Sequence, residues 1–295
     1  MDPTTKDITT NFVKAKRPCA NGFRWFIKHH RDGSNYQDLL DALVQDGRVS
    51  DACWLLSQFG PTDAVLVLDS LEAEAVVFAG AIEVRGNIEA DTIVRAGRGI
   101  RADGSIRVGE ALIAGEDVRA DGGLRSDGSI EVGGDIRIGW GIEARQDITC
   151  GGDIRAAWEL LCGGKLAVEG NAFVGLDIVA QAAIRCGKGL NAGGSISAAD
   201  SIHVANGIVA GEAIRCGMHL KAGWGIRAGL SIEADAAIRA GESLSAGHEI
   251  RAGEGYGVFA GLDVQVDAWE TSARVSASAR PQGLMSGWWS DKVEA

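Results

Sequence analysis

Ile100-Arg-Ala-Asp-Gly-Ser-Ile106-Arg-Val-Gly-Glu-Ala-Leu112-Ile-Ala-Gly-Glu-Asp-Val118 carries an aliphatic residue at every sixth position. The beat extends in both directions, from Ile82 to Ile250, without an insertion or deletion. Of the 29 positions it visits, only Ala172 is not Ile, Leu or Val. Two residues after each aliphatic comes a second slot, usually Ala, Cys or Val, as at Ala90, Ala102, Val108, Cys150 and Cys162. Side chains along a strand point alternately to its two faces, so this pairing describes a short strand with both residues turned inward. A helix needs apolar residues near every 3.6 positions, which a strict six cannot supply. Gly and Asp, common after the second slot, suit corners where the chain turns with positive φ. A fixed short period marks a solenoid. Three hexads make an 18-residue coil. The expected fold is therefore mainly all-β: a three-sided parallel β-helix (β-solenoid), right-handed form favoured, roughly 45 Å long at ~4.8 Å per coil.

The segment Ile100 to Val108, together with Leu124-Arg-Ser-Asp-Gly-Ser-Ile130-Glu-Val, resembles the β-helix repeats of three families. These are the bactofilins, the polymer-forming flagellar-assembly family and the C-terminal domain of the cell-division inhibitor MinC. The resemblance spans about 170 residues. It implies a parallel β-helix and, in the bactofilin case, end-to-end polymers; fold likeness of this kind does not carry function. The hexapeptide acyltransferases share the strict six but place a small residue ahead of the aliphatic. Here the aliphatic comes first, which favours the right-handed form.

The chain of 295 residues has a net charge of −11, unevenly spread: residues 1–60 carry +1 and the remainder −12. An acidic rod does not neutralise phosphates, so no direct nucleic-acid binding is expected. It can instead imitate a nucleic acid, which leaves an inhibitor, immunity or decoy role of phage or mobile-element type as an alternative. The chain has no apolar run of 18 residues and no signal-peptide-like start, so no membrane association is expected and the cytoplasm is the expected compartment. Of six cysteines, Cys150, Cys162, Cys186 and Cys216 fall in the inward small slot, where a thiol packs as a small hydrophobe.

In chain order, residues 1–16 read as a flexible N-terminus and 17–62 as a small α-helical domain or cap. Tyr36, Leu39, Leu40, Leu43 and Val44 lie on one helical face, with Ser34 or Asn35 to cap its start and Gly47 its end. A second helix from about Ser50 is stopped by Gly60-Pro61, and a weaker one covers Cys19 to His30. Residues 63–253 read as the β-helix. After Ile250 the next aliphatics are Val258 and Val264, so two residues are inserted and the beat slips. Residues 254–295, with Trp269, Trp288 and Trp289, read as an irregular C-terminal cap.

Outward residues 18 apart should stack on successive coils. One face presents Arg101, Arg119, Arg137 and Arg155 in a row, a candidate strip for an anion or acidic partner unless Asp103, Asp117, Asp121, Asp135 and Asp153 interleave. Trp140, Trp158 and Leu176 share one corner of three consecutive coils, flanked by the outward Leu161 and Val179 on one face and Phe173 on the other. Alternatively, the weak inward slot at Ala172 lets the Phe173 ring flip inward. This candidate protein interface receives either the chain's own helices or tail, or a protein partner or second subunit, as in a homodimer.

His203, His219 and His248 sit on separate coils and His29-His30 in a helix, without triad or metal-ligand spacing. No catalytic residue, metal ligand or cofactor site is assigned, and no enzyme activity is expected. The expected function is a non-catalytic scaffold or protein-binding platform, with a polymer-forming scaffold as a further alternative.

Overall fold

The structure, a computed structural model describing residues 7–30 and 33–290, is a parallel β-solenoid of about 12 turns led by a small unit of four helices. Three sheets run its length. Sheet I has 13 strands, from Val65–Leu68 to Trp288–Trp289; sheet II has 11, from Leu71–Ala73 to Ile250–Arg251; sheet III has 12, from Val76–Phe78 to Leu284–Ser286. From Ile82 to Ile250 each strand pairs in parallel with the one 18 residues on, as Ile100 with Val118 and Val118 with Ile136. The six-residue beat sets this register. Its aliphatic positions and second slots line the interior, and the residue between them faces out. Ile148 and Cys150, for example, are fully buried around an exposed Thr149.

The corners differ from the sequence expectation. No residue between 82 and 250 has positive φ. Glycine is needed there for close approach instead: each corner stacks on the one below. A Cβ on Gly128 would lie 1.7 Å from the carbonyl oxygen of Glu110. The corner acids have a second role. Asp117 Oδ1 accepts the N–H of Asp135 (3.0 Å), Asp135 Oδ1 that of Asp153 (2.8 Å) and Asp153 Oδ1 that of Asn171 (2.8 Å), forming a ladder up one edge.

The helices are α1 (Thr10–Ala15), α2 (Ala20–His29), α3 (Tyr36–Gln45) and α4 (Val49–Phe59). Asn35 caps α3, its Oδ1 accepting the N–H of Gln37 at 2.9 Å, and Gly47 and Gly60 turn the chain with positive φ after α3 and α4. Residues 8–15, expected to be loose, are part of this unit: Ile8 and Val13 are buried in its core, and Asp7–Ile8 pairs antiparallel with Ser34–Asn35. The apolar pair is what the polar composition of that segment concealed. Residues 1–6 lie outside the described part.

The helical unit sits on the outer face of sheet III at the first coil, where it buries Val77 and Ala79. Gln37 extends the sheet edge there: its Nε2 donates to the Val77 carbonyl (3.1 Å) and its Oε1 accepts the Ala79 N–H (2.9 Å). The edge strand of sheet I is less covered among the described residues: Val65 and Val67 are exposed and the inward Leu66 and Leu68 only half-buried, whereas Leu71 at the edge of sheet II is buried.

At the other end Val258 pairs with Ile238, a step of 20 that reflects the two inserted residues. Val264 does not form the next rung. The chain instead leaves the coil through a short helix, α5 (Trp269–Ser272), and sheet I resumes at Arg274–Ser276, with Val275 paired to Leu244. Val258, Ala260, Val275 and Ala277 are buried against the last coil, with the half-buried Trp289 packed beside them.

Candidate functional site: a tryptophan corner beside an arginine column

The arginine column forms as its spacing demands: Arg101, Arg119, Arg137 and Arg155 are register partners on successive strands of sheet I, followed by Phe173. Carboxylates interleave it. Arg101 pairs with Asp103 (3.3 Å), Arg119 with Asp117 (3.0 Å), Arg137 with Asp135 (2.6 Å) and Arg155 with Asp153 (3.7 Å). Asp121 makes no ion pair among the described residues. The Asp117 carboxyl is held below the usual range first by the backbone N–H of Asp135, against the effect of burial, and further by Arg119 and Arg137. Asp153 is lowered in the same way by the N–H of Asn171. The column is thus a neutralised stripe rather than an open anion strip.

Trp140, Trp158 and Leu176 occupy the corner between sheets I and II. Their backbones are tied coil to coil, Trp158 N–H to the Trp140 carbonyl (3.2 Å) and Leu176 N–H to that of Trp158 (3.0 Å). That spacing stacks the indoles, with centroids 5.6 Å apart and planes 9° from parallel. Both rings remain 53% exposed and Leu176 50%, although indole is among the most apolar surfaces a protein can bury. On sheet II the outward Leu161 and Val179 are register partners and half-buried. On sheet I Phe173 stays outward, 39% exposed beneath the Arg155 guanidinium (5.7 Å), while Ala172 is fully buried in the inward slot, so no flip occurs. The six predicted residues therefore form one ridge.

Neither the helical unit nor the tail covers this ridge among the described residues. The first is held at Val77 and Ala79, near the start of the solenoid, and the second at its last coil. Beside the ridge on sheet I runs a trough of about 710 Å³ walled by Arg119, Arg137, Arg155 and Phe173, its floor kept low by Gly139, Ala157 and Gly175. Toward the C-terminal end the apolar surface is interrupted: Asn191 stands between Phe173 and the exposed Val209 on sheet I, and Gly194 and the exposed Glu212 stand between Leu176 and the exposed Leu230 on the corner. Trp224 is exposed on a different corner, between sheets III and I.

Among the described residues the histidines form no metal-ligand cluster, although His219 lies near His203 on the neighbouring coil. His203 is an outward residue of sheet III, His219 packs edge-on against Tyr256 (5.7 Å), and His29 and His30 lie against Trp25. No group of three or more His, Cys, Asp or Glu placed to hold a metal ion occurs among the described residues. The inward cysteines are buried and free, and burial pushes the Cys150 and Cys216 thiols up to about 11. Sequence reading missed an apolar cavity in the helical unit, about 180 Å³, lined by Val13, Trp25, Phe26 and Trp54. The exposed Cys19 at its mouth caps α2, with Sγ accepting the Gly22 N–H at 3.1 Å.

Fold and surface together define a three-sheeted β-solenoid with a helical leader and an uncovered aromatic corner. Residues 1–59 are similar to the family described as the YdhT N-terminal domain, a match that takes in the four helices and ends before the first coil. No curated protein and no solved structure matches the chain. No helix among the described residues is long and apolar enough to cross a membrane.

Proposed function

We propose that the protein is a non-catalytic binding platform: a rigid rod that docks a protein partner, or a second copy of itself, along the Trp140–Trp158 corner. The observation that carries this reading is the parallel indole pair, half-exposed and continuous with Leu176, Leu161, Val179 and Phe173. Contiguous apolar surface on a folded domain usually marks an interface, and Trp is the residue most enriched at binding hot spots. Six free cysteines, four of them in the core, fit a reducing compartment such as the cytoplasm.

The test is light scattering, across a concentration series, of the native chain and the Trp140→Ser/Trp158→Ser chain. A second copy at the corner predicts a native mass above one chain that falls in the variant at an unchanged melting temperature. Equal masses with a lowered melting temperature would assign the rings to the chain's own fold and overturn the reading.

A second reading rests on the first coil. The uncovered edge at Val65–Leu68, with half-buried Leu66 and Leu68 behind it, offers unpaired strand groups for end-to-end assembly of the kind the bactofilin resemblance implies. Val67→Lys would block it, and the mass of that variant separates the two readings.

A further inference from the structure

Sheet III carries a second column of basic side chains, and within this column no acid is a register partner. Arg185, His203, Lys221 and Arg239 are register partners on four successive strands, all exposed. On sheet I every arginine of the column lies within 3.7 Å of an aspartate. Arg185, Lys221 and Arg239 form no ion pair among the described residues; Arg239 lies instead over the Phe259 ring at 5.6 Å. The first three basic residues line a trough of about 600 Å³, joined by Lys165 at one side, with Gly187 and Gly223 keeping the floor low. Like charges on rungs ~4.8 Å apart repel one another. In a chain of net charge −11, four rungs without an acid between them are the exception.

We propose that this trough binds a short oligophosphate laid along the solenoid axis, its oxygens shared among Arg185, His203, Lys221 and Arg239. Guanidinium forks take phosphate oxygens in pairs and lysine takes them as a point charge, so the side-chain set suits phosphate. Charges repeated from rung to rung match a phosphate chain better than a single ion. The site is also short. The column is preceded by Ala167 and followed by Phe259, and Glu169 and Asp263 also line the trough, so a long polyanion would run onto apolar or acidic surface. His203 adds a pH dependence. Burial, then Lys221, Arg185 and His219, lower its pKa, and Asp200 opposes them. A bound anion reverses the balance and favours the imidazolium, so binding should tighten as pH falls.

The experiment is calorimetric titration of the full chain with tripolyphosphate at low salt, at about pH 6 and 7.5. Expected is saturable binding that weakens at least tenfold in Arg185→Gln/Lys221→Gln and is unchanged in the sheet I control Arg119→Gln/Arg137→Gln. His203→Asn should reduce the gain at the lower pH, a comparison that cancels the probe's own titration. All substituted residues are exposed except the half-buried Arg137, and matching melting temperatures verify that the variants fold. Absence of binding, or equal weakening by both double variants, would overturn the proposal. So would tighter binding of a single-stranded oligonucleotide than of tripolyphosphate, which would make the surface a nucleic-acid site.

Discussion

Asp135 Oδ1 accepts the backbone N–H of Asp153 from the next coil at 2.8 Å, while its Oδ2 meets the Arg137 guanidinium at 2.6 Å. One carboxylate thus satisfies a corner N–H and neutralises the arginine column. The two roles separate by substitution. Asp135→Asn keeps an oxygen for the N–H and loses only a partly exposed ion pair, a cost of about 0–1 kcal/mol. Asp135→Ala removes the acceptor as well and should cost about 1 kcal/mol more. Urea unfolding of both variants measures the difference; equal losses would mean that the ion pair, not the ladder, holds this corner.

The same ladder predicts acid sensitivity. The carboxyls of Asp117 and Asp153 titrate below the ordinary value of 3.8 in the folded chain, chiefly because each accepts a backbone N–H. A carboxyl lowered by folding contributes stability that is complete above its unfolded value and lost as pH falls through its folded one. The contribution of these two groups should therefore be level from about pH 7 to 5 and fall away below about pH 4. Replacing both with Asn should flatten the low-pH limb of the urea midpoint plotted against pH. An unchanged limb would place the acid response elsewhere.

Corner glycines divide into two kinds. A Cβ at Gly128 meets the Glu110 carbonyl oxygen at 1.7 Å, whereas one at Gly123 finds its nearest neighbour, the Gly141 carbonyl oxygen, at an ordinary 3.6 Å. Neither has positive φ, so backbone strain does not distinguish them. Gly128→Ala should force the coils apart locally and cost about 1–3 kcal/mol, as overpacking does. Gly123→Ala should be neutral or slightly stabilising, because it restricts the unfolded chain. Thermal unfolding of the two variants decides; equal behaviour would remove close stacking as the reason for glycine.

The inward thiols give a chemical readout of the core. Cys150, Cys162, Cys186 and Cys216 are buried, and burial raises all four, whereas Cys19 is exposed. The thiolate is the reactive form. Brief alkylation near pH 8, read by mass spectrometry, should mark Cys19 fast, the half-buried Cys53 slowly and the other four only after unfolding. Labelling of Cys150 at the rate of Cys19 would mean that mid-rod coils open on that timescale.

Legibility in the sequence followed the physics of the repeat. With inward residues every six positions and no insertion, register is fixed from Ile82 to Ile250, and from register come the arginine column and the stacked indoles. The reason for glycine at the corners was not legible, because the oxygen that excludes a Cβ at Gly128 belongs to Glu110, one coil earlier. The buried role of Ile8 and Val13 was equally hidden: both join a core whose other members include Leu39, Leu43 and Leu55, far along the chain. Val264 keeps the six-residue spacing from Val258 yet forms no rung, in the segment that the slipped beat already marks as irregular. A period places residues along a regular rod and falls silent where the rod stops.

That limit is sharpest at Gln37, a polar residue on α3 that no repeat singles out. Its carboxamide donates to the Val77 carbonyl at 3.1 Å and accepts the Ala79 N–H at 2.9 Å, the pattern of a neighbouring strand, and also donates to Asp41 at 2.7 Å. Edge groups left without partners beneath a packed helix are costly, so Gln37→Leu should lose about 1–3 kcal/mol. The loss should be local. In hydrogen exchange the amides of residues 76–79 and of α3 should lose protection, while mid-solenoid strands such as Ile148–Cys150 keep theirs, because a solenoid's repeats contact only their neighbours. Gln37→Glu tests the geometry further: it keeps an acceptor for Ala79 but replaces the donor to Val77 with a second oxygen aimed at a carbonyl. It should therefore destabilise the same residues. Exchange at 76–79 unaltered in both variants would show that Val77 and Ala79 are held by apolar packing alone.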